Sequence, residues 1–238
     1  MKDTYIFKRV EKKYIIDKKT KEELLSRISS RLTPDIHGIS TICSLYLDTP
    51  DYLLIRNSIE AKVYKEKLRV RSYGVPSDDS KVFFEIKKKY KGVVYKRRVS
   101  MTYVEMLDYL KKGTRPCEGQ IMNEIDWAMK FYRYPEPRML IFYEREAYTC
   151  DEDEGLRITF DTNIRYRTEE LSPSGKDRGK TILPSEAVIL EVKTGGGMPL
   201  WLSRTLDELK IYPGKFSKYG RCYLEVYDNK KKGELLNV

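Results

Sequence analysis

Three short segments of this 238-residue chain set charged side chains in alternation with aliphatic ones: Leu68-Arg69-Val70-Arg71-Ser72-Tyr73, Phe84-Glu85-Ile86-Lys87-Lys88-Lys89 and Leu190-Glu191-Val192-Lys193. In an extended backbone successive side chains point to opposite faces, so one face of each segment collects Arg, Lys and Glu while the other collects Leu, Val, Ile and Phe. The same phase runs through Lys13, Lys96, Arg98, Arg145 and Arg157, with Glu11 beside Lys13. Any one of these residues would pass as an exposed strand face with surface ion pairs. The recurrence of R-x-R, E-x-K-x-K, K-x-R and E-x-K on separate strands points instead to a sheet curled around a charged cavity.

Such a cavity suits a polyanion. Arginine offers planar paired donors to phosphate oxygens and lysine a point charge, so Lys13, Arg69, Arg71, Lys87, Lys89, Lys96, Arg98, Arg145, Arg157 and Lys193 fit several phosphates held in a row. At an effective dielectric near 20, one unit-charge contact at 4 Å is worth about 4 kcal/mol before desolvation, so converging cations need an anionic ligand or interleaved carboxylates. Carboxylates among such cations have a second use, because Mg²⁺ and Mn²⁺ bind through one or two of them plus substrate phosphates. Glu191 is the first candidate for that role, with Glu85 and Glu11 next.

The elements that must position these residues follow from pattern and caps. Strands are expected over residues 5–16, 44–48, 62–73, 81–90, 93–101, 139–149, 156–162 and 187–194. The turn cluster Gly74-Val75-Pro76-Ser77-Asp78-Asp79 joins two of them as a hairpin. Thr20-Lys21-Glu22-Glu23 and Thr102-Tyr103-Val104-Glu105 read as capping boxes. They open helices over 19–32 and up to Gly113. Further helices are expected over 120–132 and from Pro199 to 209, with a turn or short helix at 51–57, a loop at 172–185 and a frayed tail at 230–232. Short turns between strands, without regular βαβ alternation, give an α+β fold: an antiparallel eight-stranded barrel with helices packed outside, in a single domain spanning 1–238.

Composition narrows the chemistry. Lys plus Arg outnumber Asp plus Glu by 46 to 36, a formal charge of +10, which favours an anionic partner. The four cysteines form no C-x-x-C pair and the only histidine is His37, so a thiolate or imidazole metal site and histidine general acid–base chemistry are not expected. Cys43, Cys117, Cys150 and Cys222 read as buried small hydrophobes in a reducing cytoplasm. With no apolar run of spanning length and no signal peptide at Met1-Lys2-Asp3-Thr4, the chain reads as soluble and cytoplasmic. Gly175-Lys176-Asp177-Arg178-Gly179-Lys180-Thr181 has three residues between its glycines where a P-loop needs four, and Ile182-Leu183-Pro184 follows in place of a helix. Gly195-Gly196-Gly197 lacks dinucleotide-fingerprint spacing.

Arg9-Val10-Glu11-Lys12-Lys13-Tyr14, Ser44-Leu45-Tyr46-Leu47-Asp48-Thr49, Lys67 to Gly74, Glu85-Ile86-Lys87, Leu190-Glu191-Val192-Lys193 and Lys215-Phe216-Ser217-Lys218-Tyr219 together resemble the catalytic domain of the vacuolar transporter chaperone (VTC) polyphosphate polymerases. That family belongs to the triphosphate tunnel metalloenzymes, related to the CYTH group of adenylate cyclases and thiamine triphosphatases. The resemblance spans nearly the whole chain in the family's order. It implies an eight-stranded tunnel in which Lys13, Arg69, Arg71, Lys87, Lys89, Arg145 and Arg157 contact nucleotide phosphate or product and Glu191 holds Mn²⁺ or Mg²⁺. Lys215, Ser217 and Lys218 would sit on a C-terminal element closing over the tunnel. The tunnel superfamily opens on E-x-E-x-K, but here Arg9 occupies the first position, against a second metal site and against the cyclase and triphosphatase branches. Nothing resembles the SPX domain or membrane helices of the eukaryotic complex, so a free-standing, prokaryotic-type catalytic domain is expected.

The function expected is therefore metal-dependent transfer of the terminal phosphate of ATP to a polyphosphate chain, releasing ADP. The partners are ATP and polyphosphate, without specific nucleic acid; a membrane partner and the oligomeric state are left open. Two rivals remain: hydrolysis of inorganic triphosphate or nucleoside triphosphate in the same tunnel, and a non-catalytic module that binds polyphosphate or nucleic acid, with tyrosines stacking on bases.

Overall fold

A computed structural model describes residues 10–61, 63–91, 93–175 and 178–235, and the side chains of all of these but His37 and 228–235. Arg9, the start of the first expected strand, Lys62, Lys176 and Asp177 lie outside the described residues.

The alternating segments form one antiparallel sheet. In chain order its strands are β1 (Val10–Asp17), β2 (Thr33–Asp48), β3 (Tyr64–Tyr73), β4 (Lys81–Tyr90), β5 (Val93–Thr102), β6 (Glu136–Thr149), β7 (Arg157–Arg167), β8 (Lys180–Thr181) and β9 (Ala187–Thr194). Across the sheet the order is β1-β9-β7-β6-β2-β3-β4-β5, with β8 paired to β7. The sheet curls until β1, at one end, faces β4, next to the other: Lys87 on β4 reaches Glu11 on β1 at 3.5 Å. Among the described residues this seam is crossed by side chains and not by a backbone ladder.

The helices are α1 (Lys18–Ile28), α2 (Leu53–Glu60), α3 (Tyr103–Lys112), α4 (Gln120–Phe131), α5 (Leu200–Glu208) and α6 (Lys218–Leu235). The outward faces of the strands supply what their apolar stripes cover. Leu45 and Leu47 of β2, Leu68 and Val70 of β3, Val82, Phe84 and Ile86 of β4 and Leu140 and Phe142 of β6 pack under Met106, Tyr109, Met122, Ile125 and Met129 of α3 and α4. Tyr14, Ile16, Ile158, Phe160, Leu190 and Val192 pack under Leu24 and Ile28 of α1 and Leu202 and Leu206 of α5. Each such side chain, fully buried, contributes about 1.5–3 kcal/mol. Putting the core on the convex side is what allows the concave side to be charged.

α6 behaves differently. Its Tyr219, Cys222 and Tyr223 enter the concave side and pack on Ile42, Tyr46, Met139, Ile141, Tyr143, Ile164 and Ile189. Periodicity had marked no helix here, and residues 230–232, expected to fray, continue it. Packing of the Tyr219–Tyr223 face outweighs a lysine-rich composition that by itself favours no helix.

Other local departures have plain causes. α1 is capped by Asp17, whose side chain accepts from the Thr20 N–H at 2.7 Å, in place of the expected Thr20 box. The helix starts as β1 ends, which puts Thr20 inside its first turn. The Thr102–Glu105 box forms as expected, and Gly113, at φ +72°, ends α3. β2 is longer than 44–48 because a register shift between Pro34 and Ile39 lets the strand continue past Gly38 along β6, so His37 lies in a strand segment. Cys43, Cys150 and Cys222 are buried as expected, whereas Cys117 is exposed. No described helix is long and apolar enough to cross a membrane.

Candidate functional site

Strand register assembles the charged face. Lys13 stands opposite Glu191 and Glu11 opposite Lys193 across β1 and β9. Thr159 stands opposite Glu191 across β7 and β9, and Arg145 opposite Asp161 across β6 and β7. On the far wall Arg69 faces Glu85 and Lys67 faces Lys87, while Lys87 faces Lys96.

The first wall is organised by Glu191, 5% exposed. Lys13 lies 3.1 Å from it, Lys193 3.3 Å, Arg145 3.4 Å and Lys218 3.7 Å. Burial opposes its ionisation, yet Lys218, Lys193, Lys13 and Arg145 hold its carboxyl well below the usual range. Lys13 also reaches Glu11 at 3.3 Å. Against the penalty of burial, Lys87 and Lys13 pull Glu11 down to about 2. Behind Glu191 lies Asp161, fully buried. It accepts two hydrogen bonds from Arg145, from Nε at 2.6 Å and from Nη2 at 2.7 Å, and one from Lys218. Tyr143 completes this group, with Lys218 over its ring at 4.4 Å and Arg145 at 5.3 Å; burial raises its phenol, but Arg145, Arg71 and Lys218 overcome that and lower it.

The second wall is organised by Glu85, 1% exposed. Arg69 donates to it at 2.7 Å, Arg71 lies 3.7 Å away and Lys96 2.5 Å. Arg69 also donates to the Tyr46 hydroxyl at 3.2 Å. Between the walls Lys67 donates to Ser217 at 2.8 Å. Burial, with Lys87, Lys13 and Arg69 close by, pushes the Lys67 ammonium down to about 7. Burial pushes Lys96 to about 7 as well, against the pull of Glu85 and helped by Arg71 and Arg69. The α6 terminus bridges the walls: Ser217 touches Lys67, and Lys218 touches Asp161 and Glu191.

The structure thus brings together Lys13, Arg69, Arg71, Lys87, Lys96, Arg145, Lys193, Ser217, Lys218, Glu11, Glu85 and Glu191. It leaves others outside. Arg157 is exposed and pairs with Asp35 at 3.1 Å, Lys89 and Lys215 are exposed, and Arg98 lies over the Phe83 ring at the rim. Of the residues brought together, Glu85 sits on the opposite wall from Glu191 and Glu11, among Arg69, Arg71 and Lys96. Lys67, Asp161 and Tyr143 were missed by the sequence reading. Lys67 keeps the phase of Arg69 and Arg71, Tyr143 that of Arg145 and Asp161 that of Arg157, so period two alone was the available signal.

Among the described residues no three of His, Cys, Asp and Glu form a metal cluster. The donors suited to a hard divalent cation are Glu191 and Glu11, which meet at Lys13. Two carboxylates are the number through which Mg²⁺ or Mn²⁺ usually binds when phosphate oxygens and water complete its shell.

The family model described as VTC domain matches residues 8–227. Among solved structures, a candidate adenylate cyclase from Bacillus halodurans matches with a TM-score of 0.54 and 14% identity, covering 88% of this chain and 95% of its own. A candidate adenylate cyclase from Vibrio parahaemolyticus gives 0.48 and 11%, covering 91% and 98%. A Hippeastrum protein described as a candidate adenylyl cyclase with a dominant triphosphatase activity gives 0.47 and 14%, covering 89% and 93%. The Bacillus protein shows a shared fold at an identity too low to carry an activity across. No curated protein matches.

Proposed function

The chain belongs to the VTC domain family, and from that premise we propose that its concave face carries out phosphoryl transfer from ATP to the end of a polyphosphate chain. The observation that carries this reading is the imbalance of charge on that face: Lys13, Lys67, Arg69, Arg71, Lys87, Lys96, Arg145, Lys193 and Lys218 converge on only four carboxylates, and Lys67 donates to the Ser217 hydroxyl. Glu11, Glu85, Asp161 and Glu191 are already paired, so the surplus calls for a polyanion.

In this reading Arg69, Arg71, Lys87 and Lys96 hold phosphates from one wall, and Lys13, Arg145, Lys193 and Lys218 hold them from the other. The bond between the γ-phosphorus and the β,γ-bridging oxygen breaks as a terminal polyphosphate oxygen bonds to that phosphorus, and ADP leaves. A chain-end phosphate oxygen needs no general base at neutral pH, which accords with the absence of a histidine from the described cluster. The protein's share is alignment and charge neutralisation, which is most of what phosphoryl transfer requires. Glu191, with Glu11 beside it, would hold Mn²⁺ or Mg²⁺, which would supply further neutralisation of phosphate charge.

The test is incubation with γ-labelled ATP and Mn²⁺ followed by electrophoresis. Long labelled polyphosphate is the expected product. Orthophosphate from every substrate would replace the reading by hydrolysis, and tight, salt-sensitive polyanion binding without turnover would replace it by a binding module.

A further inference from the structure

The concave face changes character towards its rim. One step beyond Glu85 on β4, in the same phase, stands Phe83, the cross-strand neighbour of Arg71. Tyr73, in phase with Arg69 and Arg71 on β3, meets the Phe83 ring edge-on, with centroids 5.9 Å apart and planes at 88°. The Arg98 guanidinium lies over that ring at 4.8 Å and the Lys81 ammonium at 5.7 Å. Neither aromatic belongs to any of the described cores. Tyr73 is 55% exposed, although Phe84 beside Phe83 is fully buried.

An aromatic pair that served only the core would be covered by it. Here two rings and a stacked guanidinium line the mouth of a phosphate-seeking cavity, and an inorganic phosphate chain has no use for them. A nucleobase does, because every base offers a π-face to stack on aromatic rings and guanidinium planes. We propose that Tyr73, Phe83 and Arg98 form a stacking platform for the base of a nucleoside triphosphate whose phosphates run inward past Arg71 and Lys96. This rests on the phosphoryl-transfer reading of the same cavity and adds a direction to it: the nucleotide enters at the Tyr73 rim. Recognition by stacking reads no hydrogen-bond pattern, so ATP and GTP bind with similar affinity.

The experiment is a parallel calorimetric titration of wild type, Tyr73→Leu, Phe83→Leu and the double variant with ATP, GTP and inorganic tripolyphosphate. Both positions lie outside the cores, and leucine keeps an apolar side chain on the strand. The double variant is expected to lose about tenfold in affinity for ATP and for GTP with tripolyphosphate affinity unchanged. Equal losses for all three ligands, or none for any, would overturn the platform. If polyphosphate synthesis from ATP is observed and nucleotide affinity does not move, the platform alone fails. If wild type binds no triphosphate, the phosphoryl-transfer reading fails and the platform with it.

Discussion

Lys218, the first residue of α6, reaches into the sheet and donates to Asp161, a carboxylate with no exposed surface that also accepts from Nε and Nη2 of Arg145. One buried anion thereby holds two cations that point at the candidate phosphate path, and it ties the last helix to the sheet.

Asp161→Ala should leave Arg145 and Lys218 buried with only their longer contacts to Glu191, at 3.4 and 3.7 Å. Removing one partner of a buried ion pair costs about 3–5 kcal/mol, since the orphaned charge stays desolvated. Urea unfolding measures it; a loss below about 1 kcal/mol would mean that the pair behaves as a surface one.

Glu191→Gln separates metal binding from anion binding. It should abolish Mn²⁺-dependent turnover by about two to three orders of magnitude, the scale of losing one electrostatic group aimed at the reacting charge. Metal-free tripolyphosphate affinity should hold or rise, because a carboxylate competing for Lys13, Arg145, Lys193 and Lys218 is gone. Full Mn²⁺-dependent activity would remove Glu191 from the metal site.

Lys67 gives a proton-linked signal. Its folded value, about 7, lies below the 10.5 of free lysine. Between those values the unfolded chain binds more protons than the folded one, so this group makes stability rise with pH across that window and costs stability below it. A bound polyanion favours the charged ammonium. Tripolyphosphate binding at pH 8 should therefore take up protons, measured as a difference in apparent enthalpy between buffers of unlike ionisation heat, and Lys67→Met should reduce the uptake. Identical uptake in the variant would refute the assignment.

Tyr219→Phe tests whether α6 is coupled to the site. Tyr219 donates to buried Asp48 at 2.9 Å and stacks on Tyr46 at 4.4 Å, and Tyr46 in turn accepts from Arg69. Asp48 also accepts the Leu54 N–H at 2.8 Å and the Ile55 N–H at 3.0 Å at the start of α2. Losing the hydroxyl should cost about 1–3 kcal/mol and weaken tripolyphosphate binding. Lower stability with unchanged binding would mean that α6 only covers the sheet.

Much of the sheet was legible from alternation. β4 and β9 coincide with the expected 81–90 and 187–194. Val82, Phe84 and Ile86 of the one and Val188, Leu190 and Val192 of the other meet outer cores built from the same period. The α6 helix was not legible, because its apolar face is decided by what lies opposite it. The expected site divided along the same line. Arg157 and Lys89, near strand ends, share the phase but reach the rim, whereas Arg98, in mid-strand on β5, lies over Phe83, and Lys193, one residue from the end of β9, still reaches Glu191.

The amino-acid sequence alone determined which residues share a face, since side-chain direction in a strand is a local property of the backbone. It determined as well that the shared face is basic and interspersed with carboxylates. Which carboxylate meets which cation was decided by register between strands far apart in the chain, such as Arg145 against Asp161 and Lys13 against Glu191. The curl of the sheet then opposed the two walls, and the packing of α6 carried Ser217 and Lys218 between them. Those are long-range choices, settled by burying apolar surface that no local spacing specifies.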